Sequence, residues 1–74
     1  MYDRFNGIKI YLYDNDHNPP HFHAIYGSEA ALIEIDTLVV LAGNIPPAQL
    51  RKVRNWAKDK QAALRTEFER LNPH

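Results

Sequence analysis

Three histidines stand close together in this chain, in the segment Asp16-His17-Asn18-Pro19-Pro20-His21-Phe22-His23. Residues two apart on a β-strand point to the same face, so His21 and His23 would present two imidazoles to one ion. His17 or Glu34 is the candidate for a third ligand, with water as a fourth, as in catalytic zinc sites. One interpretation of this spacing is therefore a divalent-metal site, with zinc as the candidate cofactor, in a metal-dependent hydrolase or nuclease; the spacing makes no cofactor certain.

The same histidines have two other interpretations, because ligand spacing alone is a hypothesis. In one, they hydrogen-bond to Tyr11, Tyr13, Glu34 and the turn backbone, and form a structural or partner-binding network. In the other, a histidine transfers protons during catalysis. Asp16, beside His17, has the further interpretation of a turn cap. The sequence leaves these alternatives open.

The segments that position these side chains are predicted from periodicity. Strict alternation of apolar and polar residues over 8–13, 21–26 and 31–35 predicts three strands, and the apolar run 38–41 predicts a short fourth. From Pro46 the apolar residues follow a period of 3.6, which predicts one helix over 46–71. We expect an α+β fold in which an antiparallel meander of three to four strands, over 8–41, packs on one C-terminal helix. Residues 1–74 would form a single domain.

The predicted strand register brings the polar residues to the sheet face away from the helix. Tyr13 is expected opposite His21, Tyr11 opposite His23, and His23 opposite Glu34, with side chains about 5 Å apart at Cβ. Asp16 and His17 would lie at the rim. We call this predicted group the polar patch; its members are Tyr11, Tyr13, Asp16, His17, His21, His23 and Glu34.

The net charge is zero, but the charges are unevenly spread. Residues 1–45 carry two basic and six acidic residues, whereas residues 46–74 carry seven basic and three acidic residues. Four of the basic residues follow helical spacing beside the apolar stripe; they form the basic flank: Arg51, Arg54, Lys58 and Arg65. This flank is interpreted as a binding surface for nucleic acid or an acidic partner, or as a solvated helix face.

The chain has no cysteine, which excludes disulfides and thiolate metal sites. No apolar run approaches the roughly 20 residues that a membrane span needs. The start Met1-Tyr2-Asp3-Arg4 lacks the basic and apolar regions of a signal peptide. We therefore expect a cytoplasmic protein without a membrane partner.

The segment from Asp16 to Ala24 resembles the small bacterial domain-of-unknown-function family 4160. The resemblance continues through 35–38, 43–46 and 53–57, although Phe68 and Lys60 stand where the family often has Trp and His. It implies no established activity. Members are often encoded beside another small protein, in pairs reminiscent of toxin–antitoxin operons.

The first functional hypothesis is accordingly a small interaction module, one member of a toxin–antitoxin-like pair. It would act through the polar patch or the basic flank, as a homodimer or with a small protein partner. The alternatives are a metal-dependent hydrolase or nuclease that uses His21 and His23, and a nucleic-acid-binding regulator that uses the basic flank.

Overall fold

The computed structural model describes residues 1–73 and shows an antiparallel sheet together with two helices. The elements in chain order are β1 (Asp3–Phe5), β2 (Ile8–Tyr11), β3 (His21–Tyr26), β4 (Glu29–Glu34), β5 (Val40–Gly43), α1 (Pro47–Ala57) and α2 (Gln61–Leu71). The predicted α+β class with an antiparallel sheet is confirmed. The predicted count of three to four strands is wrong, because the sheet has five. No helix among the described residues is long and apolar enough to cross a membrane.

The strands form a meander in which each pairs with the next in antiparallel fashion. The additional strand is β1, which joins β2 through the two-residue turn Asn6-Gly7. Both turn residues have positive φ, 49° and 76°, as a type I′ hairpin turn requires. The sheet therefore begins at residue 3 instead of residue 8.

The last strand lies two residues later than predicted and ends at Gly43. Leu38, which was assigned to this strand, has φ 61° and belongs to the preceding turn. A register shift between Leu32 and Ile33 adjusts the pairing of β4 with β5. Gly43 has φ 73°, and a Cβ at this position would lie 2.2 Å from the carbonyl oxygen of Ala30.

The predicted single helix over 46–71 is wrong, because a turn at residues 58–60 divides it. Lys60 leaves the helical conformation with φ −123°, and its Nζ donates to the Trp56 carbonyl oxygen at 3.2 Å. A cation bonded to the last carbonyl groups of a helix stabilises its C-terminus. Gln61 Nε2 donates to the carbonyl oxygens of Ile35 and Asp36, at 2.8 and 3.0 Å. These tertiary hydrogen bonds fix the start of α2 beside the end of β4.

One hydrophobic core joins the helices to the sheet. The strands contribute alternate residues, among them Ile8, Ile10, Phe22 and Ile33, as the period of two requires. The helices contribute Val53, Ala57, Leu64 and Phe68. Trp56 packs at the edge of this core, where its ring stacks on Phe5 and its Nε1 donates to Asp3 Oδ2 at 2.8 Å.

Candidate metal centre

The centre is built from the long connection between β2 and β3 and from the first residues of β3. Residues 12–20 form this connection, which contains Asn15 at φ 58° and a cis peptide bond between Asn18 and Pro19. Asp and Asn adopt such left-handed conformations with little strain, because their short side chains bond locally to the backbone. The connection returns Asp16 to the start of β3.

Asp16 lies between the two histidines of β3. Its Oδ2 is 3.0 Å from His21 Nε2 and 3.1 Å from His23 Nε2. The side chains of Asp16 and His23 are about one-fifth exposed, whereas that of His21 is 5% exposed. Among the described residues, these three are the group of histidine and carboxylate side chains whose ligand atoms all lie within 4.8 Å of one another.

The imidazoles of His21 and His23 make different contacts with the Asp16 carboxylate. His23 Nε2 donates a hydrogen bond to Asp16 Oδ2. His21 Nδ1 donates to the carbonyl oxygen of Pro19 at 2.9 Å, since a carbonyl oxygen can only accept. The other nitrogen of His21, Nε2, is buried and has no hydrogen-bond partner. It lies within 3.0 Å of Asp16 Oδ2 but is not aligned for a hydrogen bond with it.

This arrangement suits a small divalent cation. In a tetrahedral site with metal–ligand bonds of about 2.0–2.1 Å, neighbouring ligand atoms lie about 3.3 Å apart. The separations of 3.0 and 3.1 Å are close to that value. Metal-bound histidines generally donate their other ring N–H to a carbonyl or carboxylate oxygen, as His21 does to Pro19.

The structure arranges the other members of the polar patch differently from the prediction. Tyr11 pairs with His23, as the register predicted. Tyr13 lies beyond the end of β2, and its ring contacts His23, with centroids 4.6 Å apart, instead of standing opposite His21. His17 is exposed and lies outside the group, so Asp16 occupies the place predicted for it.

The predicted pairing of His23 with Glu34 is wrong. Strands β3 and β4 are joined by the two-residue turn Gly27-Ser28, which places Leu32 opposite His23 and Glu34 opposite His21. The Glu34 carboxylate accepts a hydrogen bond from Thr37 Oγ1 at 3.0 Å.

His21 also departs from the predicted location on a face away from the helix. Its ring lies 5.4 Å from that of Phe68 in α2, centroid to centroid, and only 4% of the residue is exposed. Because α2 packs against β3, it covers the His21 side chain at the first residue of this strand.

Asn72, at the C-terminal end of α2, supports the centre and was not singled out from the sequence. Its Oδ1 accepts a hydrogen bond from the backbone N–H of Asp16 at 2.7 Å. Its Nδ2 donates to the carbonyl oxygens of Tyr13 and Phe68, both at 3.0 Å. The residue is 8% exposed, and both polar atoms of its side chain are hydrogen-bonded. It borders a cleft of about 450 Å³ whose lining is Asn15, Asp16, Leu71, Asn72 and Pro73.

All four residues of the basic flank are exposed: Arg51 and Arg54 in α1, Lys58 in the turn between the helices, and Arg65 in α2. Arg54 Nε donates to the Leu38 carbonyl oxygen at 3.0 Å, and Arg65 forms an ion pair with Asp36. Two of the four basic side chains therefore connect the helices to the turn between β4 and β5.

Most of the chain matches the model of one protein family. The model of a domain of unknown function, DUF4160, matches residues 7–69. The chain belongs to the DUF4160 family. The match includes the connection, the two histidines of β3 and most of α2, and it confirms the resemblance found in the sequence. No curated protein and no solved structure matches the chain. Since the DUF4160 description names no activity, the function has to be inferred from the site.

Proposed function

We propose that this protein binds one divalent transition-metal ion, zinc above all, through Asp16, His21 and His23, and uses it in hydrolysis. The observation that carries the proposal is the buried Nε2 of His21, which has no hydrogen-bond partner although it lies 3.0 Å from Asp16 Oδ2. With Nδ1 protonated, a neutral His21 presents a lone pair at Nε2. A lone pair and a carboxylate oxygen 3.0 Å apart repel each other, and a cation that binds both removes this repulsion.

The alternative of a purely structural network accounts less well for the same atom. An unsatisfied buried polar atom costs about 1–3 kcal/mol, so structural networks usually bond every buried group. Asn72, in the same part of the molecule, bonds through both of its polar atoms. The contrast between the fully bonded Asn72 and the unbonded His21 Nε2 favours a site in which a ligand binds Nε2 over a purely structural role for His21.

The ligand set favours a catalytic site over a purely structural one. Structural zinc sites are usually closed by four protein ligands, whereas catalytic sites have three protein ligands and keep a position for water or substrate. Here two histidines and one aspartate provide three ligands, and about one-fifth of the Asp16 and His23 side chains remains exposed to solvent. A bound zinc ion supplies an activated water at neutral pH and polarises a substrate oxygen.

The proposal is tested by metal analysis of untagged protein and by calorimetric titration with zinc. We expect one zinc ion per chain and a higher melting temperature on zinc addition, because a ligand that binds only the folded state stabilises it. Asp16→Asn and His23→Gln should weaken zinc binding at least tenfold.

His17→Gln is the matched control, since His17 lies in the same connection but outside the group. It should bind zinc as the wild type does. Equal zinc affinity in all three variants, or no zinc binding by the wild type, would contradict the proposal. A preference for iron would instead identify the two-histidine, one-carboxylate set of iron oxygenases and argue against hydrolysis.

An interaction module remains a second candidate function, and the observation that favours it is the edge strand β5. Leu41 in β5 is 42% exposed, Val39 just before the strand is 51% exposed, and residues 37–50 carry no charged side chain. An apolar edge without charges readily pairs with another strand. We propose a second copy of the chain as its occupant; membership of a toxin–antitoxin-like pair is a prediction that only a search for a partner protein can test.

A further inference from the structure

The outer face of the sheet carries the basic residues of the N-terminal part of the chain. Arg4 and Lys9 are cross-strand partners between β1 and β2, and both are exposed. Their neighbours Ile8 and Ile10 point into the core, so Arg4 and Lys9 point away from it. These are the two basic residues among residues 1–45, which contain six acidic ones. The structure thus concentrates the positive charge of this half on one surface.

Tyr11 lies on the same side of β2 as Lys9, and Tyr13, just beyond the strand, stacks on it. Tyr11 follows Lys9 at the same-face spacing of two residues. The rings of Tyr11 and Tyr13 stack with centroids 5.7 Å apart and planes 8° from parallel, and Tyr13 is 42% exposed. The Tyr13 ring in turn contacts His23, one of the three residues of the metal centre. Cations, stacked rings and metal centre therefore form one continuous path, which we call the tyrosine face: Arg4, Lys9, Tyr11, Tyr13 and His23.

We propose that the tyrosine face binds single-stranded nucleic acid and delivers it to the metal centre. The inference rests on the proposed function, because it names the substrate class of the same site. Nucleobases stack on exposed aromatic rings whatever their sequence, and neighbouring cations neutralise the phosphates. A metal ion at Asp16, His21 and His23 would add positive charge at the end of the path and compensate for Asp16.

Two features of the surface favour single strands over duplex. Bases in a duplex are stacked on each other, so their faces reach a protein ring only after unpairing. The rings lie on the sheet face at Tyr11 and in the connection that follows it at Tyr13, whereas sequence readout in a duplex uses a helix or ribbon that enters a groove.

The test measures fluorescence anisotropy of a labelled single-stranded oligothymidylate with the full-length, zinc-loaded protein, and zinc content on the same samples. Tyr13→Leu should weaken oligonucleotide binding about tenfold, because a stacking ring is lost, while Tyr13→Phe should bind as the wild type does. Lys9→Gln should weaken binding and reduce its salt dependence by about one ion. Zinc content should remain at one ion per chain in all three variants.

The control is the double variant Arg51→Gln, Lys58→Gln, which removes exposed cations from the basic flank and should leave oligonucleotide binding unchanged. Binding that depends on the basic flank and not on Tyr13 would overturn the inference in favour of the helix surface. Zinc-loaded protein that does not bind the oligonucleotide would overturn it and leave the metal centre intact. Failure of the proposed function is seen separately, as an absence of zinc in the wild type.

Discussion

Two buried polar side chains, His21 and Asn72, explain how single residues build the centre. Asn72 uses both ends of its amide to tie the backbone of Tyr13 and Asp16 to the end of α2. His21 is held at Nδ1 by the Pro19 carbonyl oxygen and presents Nε2 towards Asp16. Asn72 holds the backbone that carries the Asp16 carboxylate, and the Pro19 carbonyl oxygen holds the His21 imidazole, so the candidate ligand atoms lie close together in the folded chain.

The position of Asn72 leads to a prediction about stability and metal affinity. Asn72→Ala removes the hydrogen-bond partner of the Asp16 N–H and of the Tyr13 carbonyl oxygen, whereas the Phe68 carbonyl oxygen keeps the backbone N–H of residue 72. We expect the change to cost about 2–3 kcal/mol of unfolding free energy. Because Asp16 is then less firmly held, zinc affinity should also fall severalfold. Urea denaturation and zinc titration measure the two effects.

Asn55→Ala is the control for this prediction, because Asn55 is exposed in α1. It should change stability by no more than about 0.5 kcal/mol. If Asn72→Ala proved as stable as Asn55→Ala and bound zinc with wild-type affinity, Asn72 would have no positioning role.

At the scale of elements, turns decide where the strands and helices meet. The two-residue turns at 6–7 and 27–28 set the register of β1 with β2 and of β3 with β4, and the turn at 58–60 allows α2 to begin beside the end of β4. This start brings Phe68 against His21 and Asn72 against the connection that carries Asp16. Most of the geometry of the centre therefore depends on elements that contribute no ligand.

Gly43, at the end of β5, gives the sharpest prediction about an element. Alanine at this position would combine a positive φ of 73° with a Cβ 2.2 Å from the Ala30 carbonyl oxygen, so the backbone has to move. We expect Gly43→Ala to lower the unfolding free energy by about 2–4 kcal/mol.

Gly27→Ala separates the two causes, since Gly27 has φ 60° and nothing within 4 Å of its Cβ position. This variant should lose only about 1–2 kcal/mol, from the left-handed backbone conformation alone. Equal losses in the two variants, measured by urea denaturation, would show that the contact with Ala30 is unimportant.

For the whole molecule, the uneven charge distribution places oppositely charged parts of the chain in contact. The acidic N-terminal part and the basic helices meet where Arg65 pairs with Asp36 and where Arg54 binds the Leu38 carbonyl oxygen. Both contacts are exposed, so each contributes little to stability. Arg51 and Lys58 in the basic flank are exposed to solvent. Binding of nucleic acid or an acidic partner to this flank stays a prediction.

The two edges of the sheet differ, and this difference predicts the mode of self-association. Strand β1 carries Asp3 and Arg4, whereas the uncharged β5 exposes Leu41. If β5 pairs with β5 of a second copy around a two-fold axis, the free backbone N–H and C=O groups of both β5 strands become hydrogen-bonded. Light scattering should show a dimer for the wild type and a monomer for Leu41→Lys.

Lys9→Gln serves as a control and should remain dimeric, because Lys9 lies in β2, which two strands separate from β5. A wild-type protein that is monomeric up to high concentration, or a dimer that persists in Leu41→Lys, would contradict association through β5.

Local patterns in the sequence predicted a substantial part of this structure. Alternation predicted β2, β3 and β4, and the change of period at Pro46 predicted the helical part, because backbone geometry and burial impose these periods on each element. The opposition of Tyr11 and His23 followed correctly from the pattern as well. Asn6-Gly7 held a hairpin signal for β1, but the three-residue strand was too short to show a period of its own.

The tertiary structure alone decided which residues form the centre. Asp16 replaces His17 beside the two histidines because the path of the connection depends on Asn72, which follows it by 56 residues. The division between α1 and α2 depends on hydrogen bonds from Gln61 to the end of β4, which no local period reveals. Periodicity depends on neighbouring residues and can be seen in the sequence. Convergence of ligand atoms depends on contacts between distant segments, and these exist only once the chain has folded.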